Sequence, residues 1–389
     1  MTTPIINPSK AAVAFVPDNT LVVALELSGK SWLLGAIVPG LAKRPLLKVM
    51  PGSVSSVVSV IGKWKAEAAK AGATITRVVL TYEAGRDGFW IARHLIGQGI
   101  ETHVVQASSI PVERKGQRRA KTDRIDIDML LRTLLAWLRG EPRVCSMVRV
   151  PTVEEEDARR PGREREVLVR DRVLVENRIN SLLILHGIVG FKARLKKAMD
   201  RLEALRTPTR SALPANTMKE LRRLMARHRV ISEQIKEIET QRDQVIAKQD
   251  PNKEEQTIQR LVSIVGLGTE TATLLVKEML WRSFRDRKAL AKYAGLTGTP
   301  FASGGTRREQ GIGRDGNPRV RGCLLQLAWR WLMFQPESRL SKWFLDRTAG
   351  AKGRIRKVMI VAMTRKLLVQ LWRFVETGEV PDGARLRPA

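Results

Sequence analysis

The chain has 389 residues, of which 43% are apolar, which is enough to bury the cores of two or three domains and excludes disorder throughout. Lys and Arg total 69 against 39 Asp and Glu, and the formal net charge of +30 indicates a polyanionic partner. Two cysteines exclude a disulfide scaffold and a structural zinc cluster, no apolar run is long enough for a membrane helix, and the first residues lack a signal-peptide pattern.

The first 110 residues alternate between apolar strand-like runs and helical spacing. Strands are predicted at 21–27, 31–39, 75–83 and 100–106, with a further one near 45–49. Helices are predicted at 53–72, 86–99 and 122–139, the last with Thr122 as its N-cap. This order predicts an α/β domain with a mixed central sheet over residues 1–150.

Residues 151–256 are highly charged and follow helical spacing. Apolar seams run along 168–189 and 221–245, so we expect an antiparallel helical hairpin or a dimerising coiled coil. The Pro161-Gly162 step should end or kink any helix that begins at Thr152.

Residues 257–389 are predicted as a mostly helical C-terminal domain. They hold 25 basic and 10 acidic side chains, a net charge of +15, against +5 for 1–110 and +10 for 111–256. The stretch 258–279 is predicted as helix, glycine turn and helix, 297–318 as a glycine-rich loop, and 320–334 and 353–376 as long helices. We therefore expect the C-terminal third of the chain to bind a phosphate backbone most strongly.

Four acids of the first domain stand where a metal site would need them. Glu26 and Glu83 end two strands, and Asp123 and Asp126 open a helix three residues apart, which places them on one helical face. Carboxylate oxygens that converge there would bind Mg²⁺ or Mn²⁺. Each acid taken alone is more simply explained as a helix cap or a solvated charge.

Ser303 is a candidate nucleophile, since it lies among small residues in FASGGTRREQG. A serine nucleophile needs neighbours that take its proton or stabilise the charge of the phosphate. Charge stabilisation could come from the arginines that follow, namely Arg307, Arg308, Arg314 and later ones. The simpler interpretation is a flexible loop with solvated arginines. The turn VGLGTETA (265–272) has the form of a helix-hairpin-helix, whose backbone N–H groups approach phosphate, or it is a plain turn between two helices.

Taken in order, the motifs ALELSGKSW, TYEAGRDGFW, KTDRIDIDMLLR, VGLGTETA and YAGLTGTPFASGGTRREQGIGRDGNPRVRGCLLQLAW resemble one family. It is the DEDD transposases of insertion sequences, a class guided by a bridge (or seeker) RNA that includes the Piv-type site-specific invertases. The resemblance covers nearly the whole chain. It implies a RuvC-like domain of ribonuclease-H fold over 1–150, a coiled-coil arm over 151–256 and a C-terminal transposase domain over 257–389.

The resemblance also implies the roles of single residues. The metal-binding acids correspond to Glu26, Glu83, Asp123 and Asp126, with Mg²⁺ or Mn²⁺ as the cofactor, and Ser303 corresponds to the nucleophile that becomes joined to DNA. Glu26 departs from the family, which has Asp at that position. Contacts to nucleic acid are expected from a set of basic, glycine and polar residues of these motifs, namely Lys121, Arg124, Gly266, Gly268, Thr269, Arg307, Arg308, Arg314, Asn317, Arg319 and Arg321.

The expected partners are a guide (bridge or seeker) RNA, donor and target double-stranded DNA, and further copies of the chain, as a homodimer that assembles into a tetramer. We expect the protein in the bacterial cytoplasm near the nucleoid, with no membrane partner. Two alternatives stay open on the sequence: a Mg²⁺-dependent junction-resolving nuclease in which water attacks, and a nucleic-acid-binding protein whose acidic site has decayed through Glu26.

Overall fold

A computed structural model gives a mixed α/β chain that divides into two compact units, residues 1–154 and 155–389. The structure describes residues 14–110, 123–142, 144–247, 249–303, 306–313 and 315–388, and only the backbone at 245–246, 299–303 and 306–310. Within these residues, no helix has both the length and the apolar character needed to cross a membrane. The division into three domains stays a prediction.

The first unit is built on a six-stranded sheet in the order β3-β2-β1-β4-β5-β6. Strands β1, β4 and β5 are parallel, whereas β2, β3 and β6 are attached by antiparallel pairing. The strands are β1 (Thr20–Glu26), β2 (Trp32–Ile37), β3 (Leu46–Val49), β4 (Arg77–Glu83), β5 (Glu101–Val105) and β6 (Met147–Val148). The predicted mixed sheet is confirmed, and β6 is the strand that the sequence did not predict.

Helices cover both faces of this sheet. Helices α1 (Val54–Lys70) and α2 (Trp90–Gly97) pack on one face, where Leu21, Leu25 and Tyr82 are fully buried. Helix α3 (Asp123–Leu138) packs on the other, against Val22, Ala24 and Val79. Because the middle strands are buried on both faces, they read as continuous apolar runs rather than as alternating ones.

The second unit begins with a helical hairpin. The helix α4 (Val153–Asp157) ends before Pro161, and α5 (Arg160–Ile184) starts again with that proline in its first turn, as the sequence predicted. The short α6 (Ala198–Ala204) leads to α7 (Ala215–Ile246), which runs antiparallel to α5. Ile179, Leu221 and Ile235 lie in the shared core. The hairpin is therefore an intramolecular one, and a dimerising coiled coil stays a prediction.

The remaining helices of the second unit surround an apolar core that includes Leu324, Phe344 and Leu367. They are α8 (Lys253–Val262), α9 (Thr269–Leu275), which continues as one π-helical turn (Val276–Leu280), α10 (Arg287–Tyr293), α11 (Pro318–Phe334), α12 (Arg339–Thr348) and α13 (Arg354–Thr377). The predicted pair of helices around a glycine turn is confirmed at α8 and α9.

The glycine-rich loop predicted over 297–318 is wrong for most of its length. Residues Gly298–Ser303 form β7 and Thr306–Ile312 form β8, an antiparallel two-stranded sheet. The alternation of Thr299 and Phe301 with smaller residues supports a strand, but the six glycines of the segment 297–318 favoured a loop in the sequence prediction.

Candidate active site

Glu26 and Glu83 lie at the same edge of the sheet. Strands β1 and β4 are parallel, and their register pairs Leu25 with Tyr82, so the next residue of each strand is a glutamate. Neighbouring strands are about 4.8 Å apart. Alternate residues of a strand face the same side, so both glutamates follow Ala24 and Thr81 toward the α3 layer. Glu26 is half-buried and Glu83 is exposed.

Helix α3 brings Asp123 and Asp126 over the same face of the sheet. The helix crosses from β2, where Ile127 lies against Gly35, to β5, where the Trp137 ring lies 4.5 Å from that of His103. A Cβ at Gly35 would stand 2.3 Å from Ile127 Cγ2, so only glycine lets the helix approach this closely. Asp126 is half-buried, and Asp123 and Arg124 are exposed.

The oxygen donors of these four acids suit a hard cation such as Mg²⁺. However, the described residues contain no group of three or more His, Cys, Asp and Glu side chains that could hold a metal ion. Asp128 is engaged elsewhere, since it pairs with Arg44 and with Arg132 (2.8 Å). The metal site of four acids stays a prediction. Lys121 and the proposed cap Thr122 lie outside the described residues.

Ser303 is the last residue of β7, opposite Thr306 at the start of β8. Across the hairpin, the backbone of Arg307 pairs with that of Ala302, and the backbone of Arg308 with that of Phe301. Of these residues the structure describes the backbone alone, and Arg314 lies outside the described residues. The backbone of Ser303 is thus held by strand pairing, whereas the sequence predicted that this residue lies in a loop.

Asn317 and Arg319 hold a buried carboxylate. The Asn317 side chain caps α11 by accepting from the backbone N–H of Arg319 (3.0 Å), and its Nδ2 donates to Glu278 (3.4 Å). Arg319 pairs with Glu278 (3.3 Å) and with Glu166. Arg163 donates to both Glu278 oxygens, at 2.8 and 3.0 Å. Sequence reasoning missed Glu278, whose signal is a single acid in the apolar run that ends α9.

Glu278 is only 7% exposed. Burial raises its pKa, but hydrogen bonds from Arg163 and the charges of Arg163 and Arg319 outweigh burial and hold the pKa of Glu278 below its ordinary value. The carboxylate therefore links the π-helical turn to the first turns of α5 and α11. In this structure, Asn317 and Arg319 fix the helix that follows the Ser303 hairpin.

Arg321 also has a structural contact at the base of the hairpin. Its Nη1 donates to the backbone carbonyls of Gly313 (3.1 Å) and Asp315 (3.2 Å). Gly316, with φ of +87°, lies so close to the backbone of Lys292 and Tyr293 that a Cβ would stand 2.7 Å from their carbonyl oxygens. These contacts fix the chain between β8 and α11.

The glycine turn between α8 and α9 packs against the core. Gly266 has φ of +87°, and a Cβ there would stand 2.6 Å from Phe334 Cβ. Gly268 is the N-cap of α9, and Thr269 is its first residue. Close packing against Phe334 therefore explains Gly266, and the N-cap position of α9 explains Gly268. Their contact with phosphate stays a prediction.

Comparison with known proteins identifies the family. The family model described as Transposase IS116/IS110/IS902 family matches residues 258–341. The protein y4rJ of Sinorhizobium fredii (strain NBRC 101917 / NGR234), whose name describes it as a transposase, is 41% identical over 390 residues, which cover 98% of each chain. The transposase for insertion sequence element IS1328 of Yersinia enterocolitica is 25% identical over 313 residues, which cover 79% of this chain and 86% of the relative. This chain therefore belongs to the IS116/IS110/IS902 family of DNA transposases.

Proposed function

We propose that this transposase moves an insertion sequence by RNA-guided recombination, with Ser303 as the nucleophile and Glu26, Glu83, Asp123 and Asp126 as the acidic site. The observation that carries the proposal is the register of β1 and β4, which puts two glutamates side by side at one sheet edge. Helix α3, which carries the two aspartates, packs on the face toward which those glutamates point. The first unit would then have a RuvC-like, ribonuclease-H fold.

The covalent step conserves the number of phosphoester bonds. The Ser303 hydroxyl loses its proton, its oxygen bonds to the phosphorus, and the deoxyribose oxygen leaves and takes up a proton. The serine–DNA ester conserves the energy of the phosphoester bond that was broken. The deoxyribose hydroxyl of a second DNA strand can therefore attack this ester, which releases the serine and joins the two DNA strands. Arg307 and Arg308 follow Ser303 closely on the hairpin, and guanidinium groups suit the charge of the attacked phosphate.

The four acids, which do not form a group that could hold a metal ion in this structure, would hold Mg²⁺ or Mn²⁺ once they are brought together. When bound, such an ion stabilises negative charge on the leaving oxygen. The protein's own contribution is to fix the carboxylates, through the parallel pairing of β1 with β4 and the close approach of α3 at Gly35. We further propose that the acids of one protomer act with the serine of another, in a homodimer that assembles into a tetramer.

The guide RNA would supply sequence specificity by pairing with donor and target DNA. The protein would then recognise the nucleic acids mostly by backbone and shape. The net charge of +30 supports this division of work, because phosphate contacts bind strongly and carry little sequence information.

Replacement of Ser303 by alanine tests the proposal. The element with its flanking DNA is placed on a plasmid in a bacterial host, and protein–DNA adducts are trapped by rapid denaturation. Ser303→Ala should abolish the adduct, because it removes the proposed nucleophilic oxygen, and should leave DNA and RNA binding intact. Thr306→Ala removes the hydroxyl of the residue whose backbone pairs with that of Ser303 and is the matched control, which should keep the adduct.

Two outcomes would overturn the nucleophile. One is an adduct that persists in Ser303→Ala. The other is cleavage with free DNA ends that does not depend on Ser303, which would instead indicate a nuclease that uses water.

A further inference from the structure

An open groove of about 1190 Å³ runs through the second unit. Helices α10, α12 and α13 line it, together with the base of the β7–β8 hairpin at Gly298, Gly311 and Ile312. Among the residues that the structure describes, its lining contains eight cationic side chains and two acidic ones, Glu379 and Asp382. The cations are Arg287, Lys288, Arg339, Arg354, Lys357, Arg365, Lys366 and Arg373.

Most of these cations have no carboxylate partner among the described residues. In the part of the chain that the structure describes, Arg339 is the groove cation that pairs with a carboxylate, Asp382 at 3.4 Å, and both side chains are highly exposed. Lys366 lies over the Trp343 ring at 4.9 Å. By contrast, arginines of the helical hairpin such as Arg194 and Arg222 each donate two hydrogen bonds to one glutamate. The groove therefore concentrates unpaired positive charge.

The dimensions of the groove fit a polymer rather than a small anion. The cations of α13 extend from Arg354 to Arg373, which are nineteen residues apart along the helix. At about 1.5 Å per residue this spans about 28 Å. One strand of duplex DNA advances about 3.4 Å per nucleotide, so the row of cations covers roughly eight phosphates. Between the cations the floor is apolar, with Trp343, Val361 and Val369.

The neighbourhood of the groove points to DNA as the occupant. Gly298 begins β7 at the groove, and the same strand ends at Ser303, five residues away. At about 3.4 Å per residue, the proposed nucleophile lies about 17 Å along the hairpin from the groove lining. The strand that the serine attacks is DNA, so a cationic groove lined by the start of β7 is placed near the DNA backbone.

We propose that this groove, named here the α13 groove, binds the phosphodiester backbone of the DNA duplex that is cut at Ser303. None of its eight cations belongs to the motifs from which the site residues were assigned. The proposal rests on the proposed function, because it takes the attacked strand as its ligand, but its test is a binding measurement that does not require catalysis.

The test compares two double variants of the full-length protein with the same change in charge. Lys357→Gln with Arg373→Gln removes two cations of the groove. Lys352→Gln with Arg347→Gln removes two exposed cations that do not line it. Affinity for a 30-base-pair DNA duplex and for an unstructured 30-nucleotide RNA is measured over a series of salt concentrations.

Each phosphate contact contributes about 0.9 to the slope of log affinity against log salt for duplex DNA. The groove variant should therefore show a slope about 1.8 shallower and bind the duplex roughly fiftyfold more weakly at 0.1 M salt, whereas the control should stay close to wild type. Equal slopes for the two variants would overturn the proposal. So would a loss confined to RNA, which would assign the groove to the guide.

The two failures are distinguishable. A groove variant that binds DNA as wild type does and forms the Ser303 adduct refutes the assignment of the groove as a DNA site. It leaves the proposed function in place. A Ser303→Ala protein that still forms the adduct, together with a shallower slope in the groove variant, refutes the nucleophile and leaves the groove as a DNA site.

Discussion

Glu278 shows how a single side chain can set the geometry near a site without taking part in it. Its carboxylate is buried and meets Arg163, Arg319 and Asn317. These residues come from α5, the π-helical turn and the start of α11, so one acid joins three elements. Removing its charge would leave two guanidinium groups without their partner, and breaking a buried pair costs more than the pair contributes.

We expect Glu278→Gln to lower the free energy of unfolding of the second unit by about 2 kcal/mol at neutral pH. The pKa of Glu278 is lowered in the folded protein, so its stabilisation is present above the unfolded value of 4.5 and is lost as pH falls through the folded value. Denaturant titrations of wild type and variant should therefore differ at pH 7 and converge in acid.

Glu337→Gln is the control for this measurement, because Glu337 forms an exposed ion pair with Lys342 and should change stability by less than about 0.5 kcal/mol. A difference between wild type and Glu278→Gln that stays constant down to acid pH would contradict the assigned role of the charge.

At the scale of elements, the contact between α3 and β2 positions the acidic site. Gly35 leaves room for Ile127, and the missing side chain lets the helix that carries Asp123 and Asp126 lie close to the sheet. A methyl group at Gly35 would also stand 3.0 Å from Leu46 Cδ2, so neither neighbour gives it space. The helix must then shift away from the strands that end in the two glutamates.

We expect Gly35→Ala to destabilise the first unit by about 2 kcal/mol through overpacking. Ile127→Ala in the same chain removes the side chain that clashes, so the double variant should be more stable than the sum of the two single changes by about 1 kcal/mol. Thermal unfolding of the four proteins measures this coupling.

Gly62→Ala provides the control, since Gly62 lies in α1 and no atom stands within 4 Å of the added methyl group. There the same substitution should stabilise the protein slightly. Strict additivity of the changes at Gly35 and Ile127 would show that the helix does not depend on this close approach.

The sequence predicts elements better than it predicts what their side chains meet. The strands of the first unit follow from continuous apolar runs, because they are buried on both faces of the sheet. Its helices follow from helical periodicity, because each buries one face. The β7–β8 hairpin was missed because its four glycines favoured the prediction of a loop. Asn317 and Arg319 were assigned to nucleic acid because their motif is basic. Their partner, Glu278, lies about forty residues earlier, so nothing in their own motif indicates the contact.

At the scale of the whole molecule, positive charge is distributed unevenly along the chain. The net charge rises from +5 in residues 1–110 to +15 in 257–389. In the helical hairpin, cations such as Arg178, Arg194 and Arg222 are matched by glutamates, whereas the cations of the α13 groove mostly are not. Among the described residues, the α13 groove is therefore a surface suited to a polyanion.

We propose that the acids of one protomer and the serine of another act on one DNA phosphate, and two complementary variants test this directly. Ser303→Ala and Glu83→Gln proteins, distinguished by a size tag, are produced separately and together in cells that carry the element with its flanking DNA. Each variant alone should form no adduct. Produced together, they should restore the adduct on the Glu83→Gln polypeptide, which supplies the serine while its partner supplies the acids. Co-purifying variants that form no adduct, or an adduct on the Ser303→Ala polypeptide, would contradict the account.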